Sequence, residues 1–242
     1  MEMISEDKLR NIAGRTGFNL VYLEKDYFLT LLMELLKDVR GIYLKGGTAL
    51  NKIFLEHTRL SEDLDFAANR TLAGIKQELE KLVSGSAVFT RLEYDKSTAE
   101  FIRYRVFYRS YFRPGSFIMV DINRKASIHL EPETHKLPNF YGLEFSVRTL
   151  NLNEILAEKI RALITRNQPR DYFDAYYILS RYQVNMGLVR KKTAEAGEKF
   201  DTERIFKNAN RIYSRWDEDL VPLTNKKLGF LECMKLLEKK LR

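Results

Sequence analysis

Asp63 and Asp65 stand two residues apart in the string Arg59-Leu60-Ser61-Glu62-Asp63-Leu64-Asp65-Phe66. On a strand, side chains alternate between faces, so these carboxylates project together while Leu64 and Phe66 turn toward the core. Two like charges held that close repel one another unless a cation lies between them, and hard oxygen ligands with open coordination positions suit Mg²⁺. The spacing therefore predicts a divalent-metal site. Ser61, two positions earlier, falls on the same strand face and could hydrogen-bond a terminal phosphate.

A second feature lies shortly upstream. Gly41 to Lys45 reads as a short buried strand and Thr48 to Leu55 as a helix, with Gly46 and Gly47 as the turn between them. Lacking β-carbons, the two glycines let backbone N–H groups approach an anion at the start of the helix, where the peptide dipoles also favour negative charge. The backbone of Gly46, Gly47 and Thr48 is thus a candidate cradle for phosphates. Phosphate on one side and metal on the other point to a nucleoside triphosphate.

The surrounding elements must hold these groups. Asn19 to Val39 carries apolar residues at helical spacing, and Leu72 to Val83 repeats the pattern. Glu100 to Arg109 alternates, with Ile102, Tyr104, Val106 and Tyr108 on one face and Arg103, Arg105, Phe107 and Arg109 on the other. Arg113-Pro114-Gly115 makes a turn, and Phe117 to Ile122 returns as the second strand of a hairpin. Arg103 and Arg105 could brace phosphates or touch an acceptor.

Farther along, a helix beginning near Asn151 or Asn153 carries an apolar stripe of Leu152, Ile155, Leu156, Ile160 and Leu163, and Lys159 intrudes on that stripe. A buried, unpaired ammonium costs several kcal/mol, so it must snorkel or meet an anion, such as a triphosphate. In the next helix, opened by Pro169, Asp171 and Asp174 lie on one side and can face Lys159. Neighbouring Arg170 could pair with Asp174 or reach phosphate. Asp201 reads as the N-cap of a helix over Thr202 to Tyr213, and Pro222 as opening the last segment.

The strings KGGTAL at Lys45 to Leu50 and RLSEDLDF at Arg59 to Phe66 resemble the signature of the AbiEii/AbiGii nucleotidyltransferase toxins, members of the polymerase-β-like superfamily. Glu24-Lys25-Asp26-Tyr27, NEILAEKIRALITR and PRDYFDAYYIL resemble further motifs of that family, and the likeness spans roughly residues 15 to 182. It implies an α+β, polymerase-β-like fold, a small mixed sheet with flanking helices over residues 1–150, followed by a helical domain over residues 151–242 that completes the active site. It also implies transfer of a nucleotidyl group from an NTP to an acceptor, which in some relatives is the acceptor end of tRNA, and a cognate antitoxin as partner.

By the same resemblance Asp121, on a neighbouring strand, is the expected third carboxylate, joining Asp63 and Asp65 as a metal ligand. Lys159 and Asp171, with Asp174 close behind, match the family's C-terminal motif residues. The expected catalytic set is Asp63, Asp65, Asp121, Lys159, Asp171 and Asp174, working with two Mg²⁺ ions, for which Mn²⁺ could substitute. Gly46, Gly47, Thr48, Ser61, Lys159 and Arg170 are the expected nucleotide-binding residues.

Composition bounds these readings. With 242 residues, 45% of them hydrophobic, the chain can fill a substantial core. No apolar run reaches membrane-spanning length and the first residues lack a signal pattern, so a cytoplasmic location is expected and no membrane partner. Cys233 is the single cysteine, which excludes an intrachain disulfide and a thiolate cluster and suits a core filler. The three histidines are scattered without metal-ligand spacing. Net charge is +8, with most of the excess after Asn151, and a basic surface attracts RNA. Two alternatives remain: nucleotidylation of a protein or small molecule, and a non-catalytic module that binds RNA or an antitoxin.

Overall fold

The computed structural model describes residues 3–125 and 127–242. The chain divides into two compact units, Met1–Leu150 and Asn151–Arg242.

The first unit is built on one mixed sheet. Its strands are β1 (Ile42–Lys45), β2 (Asp63–Ala68), β3 (Phe89–Ser97), β4 (Phe101–Tyr108), β5 (Phe117–Asn123), β6 (Glu133–Lys136) and β7 (Ser146–Thr149), in the order β3-β4-β5-β2-β1-β7-β6. β2 lies at the centre, antiparallel to β1 and parallel to β5, and the β4–β5 pair forms the expected antiparallel hairpin. Strict alternation explains the hairpin: Ile102, Tyr104, Val106, Ile118, Val120 and Ile122 are all buried on one side.

Helices α1 (Glu6–Thr16), α2 (Leu20–Leu36) and α4 (Leu72–Ser84) accompany the sheet. α2, capped by Asn19, is buried nearly all round, and its acidic residues Glu24 and Asp26 are each 1% exposed. Buried charges require partners. Glu24 accepts from the Ser110 hydroxyl at 2.7 Å, and Asp26 pairs with Lys52 Nζ at 2.7 Å while accepting from the Tyr141 hydroxyl at 2.9 Å.

Several local expectations are corrected. The helix after β1 starts at Gly46 itself, as α3 (Gly46–Ala49), and continues as a π-helical turn over Leu50–Phe54. The wider turn directs Lys52 inward to Asp26 and Thr30. Ser61 precedes β2, so it does not share the strand's alternation. α1, β3, β6 and β7 add to the elements read from the pattern.

The second unit is helical: α5 (Leu152–Thr165), α6 (Pro169–Arg181), α7 (Met186–Glu195), α8 (Glu203–Lys207), α9 (Ala209–Leu220) and α10 (Phe230–Leu241). They enclose a core that includes Ile160, Leu163, Tyr172, Phe173, Ile212, Trp216 and Cys233. Burial pushes the Cys233 thiol pKa up, as befits a core residue. The single helix expected over Thr202 to Tyr213 is two, broken at Asn208, although Asp201 does accept from the Glu203 N–H at 3.0 Å. The last helix begins after Gly229, not at Pro222, which lies in a turn.

Candidate active site

In the first unit, Asp63 and Asp65 open β2 on one half-buried face, and the intervening Leu64 and the following Phe66 are buried opposite them. Register places Lys45 beside Asp65 on one flank and Asp121 beside Asp65 on the other. Gly46, at φ +69°, brings its backbone hard against this row: a β-carbon there would stand 2.2 Å from Asp65 Oδ2. Only glycine meets both the positive φ and the close approach.

The glycine bend is tied to the acidic strand by Thr48, whose hydroxyl donates to the Asp63 carbonyl at 2.6 Å. Asn51 donates to the Gly47 carbonyl at 3.1 Å and accepts from the Thr58 hydroxyl at 2.7 Å. Ser61, although off the strand, reaches the bend: its hydroxyl lies 3.2 Å from where a Gly47 β-carbon would be, and Arg59 Nη2 lies 2.9 Å from that point. Arg59 is 3% exposed and donates to the Leu60 carbonyl. The sequence reading assigned Arg59 no role; a cation ahead of the acidic pair was the available signal.

Asp121 lies on β5 beside Asp65, yet both its oxygens are engaged. Arg103 Nε donates to Oδ1 at 2.7 Å and Nη2 to Oδ2 at 2.6 Å, a bidentate fork. Hydrogen bonding to Asp121 raises the Arg103 pKa above the usual arginine range, with Asp95 and Asp63 adding to the effect. Arg105 pairs with Asp95.

A divalent ion fits this row as a half-site. The donors are hard carboxylate oxygens, and Mg²⁺ is commonly held by one or two carboxylates plus substrate phosphates. Among the described residues no group of three His, Cys, Asp or Glu side chains could hold a metal ion by itself. Asp63 and Asp65 set two such carboxylates on one face of β2.

In the helical unit, Lys159 is 5% exposed, and its Nζ lies 3.2 Å from Asp171 Oδ1 and 2.9 Å from Asp174 Oδ2. Arg166, which the sequence reading did not single out, adds a 2.8 Å bond to Asp171 Oδ1. The buried lysine thus meets its counter-ions within its own unit, and both aspartates serve it. Lys192 is matched in the same way by Glu154 and Glu158. Arg170 lies in the first turn of α6 beside Asp171.

The sequence profile of the AbiEii nucleotidyltransferase toxins of type IV toxin–antitoxin systems matches residues 33–230. The chain belongs to this family. AbiEii membership makes it a nucleotidyltransferase toxin, and the match runs through both units. Among solved structures it is similar to MenT4, a nucleotidyltransferase toxin of Mycobacterium tuberculosis, at 19% identity, TM-score 0.74, over 98% of this chain and 88% of that one. It is also similar to JHP933 of Helicobacter pylori, at 19% identity and TM-score 0.62, over 90% and 89% of the two chains. At these identities the likeness concerns the AbiEii member's fold. No curated protein sequence matches it significantly.

Proposed function

We propose that this AbiEii toxin transfers a nucleotidyl group from an NTP to a hydroxyl of RNA, at the acceptor end of tRNA, and releases pyrophosphate. The observation that carries the reading is the row in which Asp63 and Asp65 share one face of β2 with the Gly46 backbone packed against Asp65.

Mg²⁺ on Asp63 and Asp65 would supply Lewis-acid stabilisation of the reacting phosphate and acidify the acceptor hydroxyl. The chain's own groups do the positioning. Backbone N–H groups of the Gly46-Gly47-Thr48 bend and the Ser61 hydroxyl face the β- and γ-phosphates, where donors fixed in advance offset the charge of departing pyrophosphate. We assign Lys159 and Arg170 of the helical unit to phosphate binding as well, and Asp171 and Asp174 to the catalytic set as the acids that hold Lys159, on the strength of the family motif they match. The net charge of +8 favours a polyanionic acceptor, and an antitoxin is the expected partner.

The test is transfer of each labelled NTP, with and without Mg²⁺, into total RNA and separately into protein. Label in RNA that depends on metal and is lost in Asp63→Asn supports the reading. Label in protein alone overturns the acceptor assignment.

A further inference from the structure

The row of side chains that begins at the glycine bend does not stop at the acids. Register runs Lys45–Asp65, Asp65–Asp121 and Asp121–Arg103, so four neighbouring strands contribute one side chain each to a single line across the open face. Adjacent strands are about 4.8 Å apart, which puts Arg103 roughly 14 Å from the bend, on the far side of the carboxylates. Asp121 grips Nε and Nη2 of Arg103, while Nη1 has no hydrogen-bond partner among the described residues and the side chain is 37% exposed. Phe101 backs the guanidinium at 5.6 Å. This is a braced, partly exposed cation with donors to spare.

In phosphoryl-group transfer the attacking oxygen and the leaving oxygen lie roughly in line. If pyrophosphate departs on the side of the glycine bend, the acceptor hydroxyl enters from the side of Arg103. A polynucleotide acceptor carries a phosphodiester next to its terminal hydroxyl, and a guanidinium fork matches phosphate geometry. We propose that Arg103 binds that terminal phosphodiester of the acceptor strand and that Asp121 is the positioning residue that holds Arg103, not a third metal ligand. The inference rests on the reading of RNA as acceptor and adds where the strand is gripped.

The test uses the full chain and a short single-stranded oligoribonucleotide with a free 3′-hydroxyl and a 5′-fluorescein label, in EDTA and without NTP. Wild-type affinity should fall with salt. Arg103→Met should weaken binding about tenfold at low salt and reduce the log–log salt slope by about 0.7, the loss of one phosphate contact to a single strand. Arg103→Lys, which keeps the charge, should retain the slope and serves as the folding control beside thermal unfolding. Asp121→Asn should weaken binding less, and the double variant should bind no worse than Arg103→Met alone. By calorimetry, Mn²⁺ affinity should be unchanged in Asp121→Asn and reduced in Asp63→Asn.

An unchanged salt slope in Arg103→Met, or a loss of Mn²⁺ affinity in Asp121→Asn equal to that in Asp63→Asn, overturns the inference while the RNA reading stands. An unchanged slope with a raised KM for NTP would assign Arg103 to the nucleotide instead. Absence of both binding and transfer to RNA in the wild type removes the acceptor reading and this inference with it.

Discussion

Gly46 and Asp65 are packed so closely that a single β-carbon at position 46 would sit 2.2 Å from the carboxylate oxygen Oδ2. The backbone at Gly46 also has φ +69°, a region that costs other residues on the order of 1 kcal/mol. Gly46→Ala should therefore displace either the bend or the acid and reduce NTP turnover by at least about a hundredfold, roughly 2.7 kcal/mol of barrier. Gly142, at φ +81° with nothing within 4 Å of a β-carbon, separates strain from contact. Gly142→Ala should lower the melting temperature by a few degrees and keep turnover per folded molecule.

The Lys52–Asp26 pair links the π-turn below the glycine bend to α2, and both side chains are at most 2% exposed. Removing one partner of such a pair strands the other charge, at a cost of about 3–5 kcal/mol. Lys52→Met should show that loss in urea denaturation, and adding Asp26→Asn should restore part of it. Equal stability of the single variant and wild type would show that water reaches Asp26.

Lys159→Met removes the buried ammonium that Asp171 and Asp174 share, while Arg166 stays on Asp171. Destabilisation of about 3 kcal/mol is expected from removing one partner of this buried ion cluster. Turnover normalised to folded protein distinguishes the two roles of the lysine: it should fall at least tenfold if Lys159 serves phosphate, and stay constant if Lys159 only neutralises its neighbours.

His57 is buried at φ +55°, and burial, with help from Lys52, pushes its pKa down to about 4 from an ordinary value near 6.5. The folded state therefore holds the neutral imidazole. Its contribution is fully present above pH 6.5 and is lost as pH falls from there toward 4, a change of about 3 kcal/mol for this difference in pKa. His57→Asn keeps a residue that tolerates positive φ and should flatten the stability curve over that window, as measured by urea denaturation at successive pH values.

Much of the fold was legible because its central strands alternate cleanly. β2, β4 and β5 show the period-two pattern of a sheet with one covered face, and α2, α5 and α6 carry apolar stripes. β3 escaped notice because it is an edge strand: most of Phe89–Ser97 is exposed, so the apolar pattern that marks a strand is missing. Charge is harder to read than burial. That Lys159 had to meet an anion follows from its place on an apolar stripe, but which anion does not. Likewise the partnership of Asp26 with Lys52 depends on a π-turn that no local pattern announces. Asp121 could be placed on a strand near the acids, whereas its capture by Arg103 needed the β4–β5 register, fixed by side chains on the opposite face.

The central position of β2 bears on how the toxin comes into being. Its partnership with β1 closes within residues 42–68, but β5 ends only at Asn123 and its parallel alignment needs the intervening β3–β4 segment as a crossover. Parallel pairing at such separation is slow to form because loop closure precedes any gain from contact. During synthesis from the N-terminus, the ribosome must release about half of the polypeptide before Asp65 acquires its neighbour on that flank. A nascent fragment stopping short of Phe117 would contain both acids and the glycines and still lack the strand that carries Asp121.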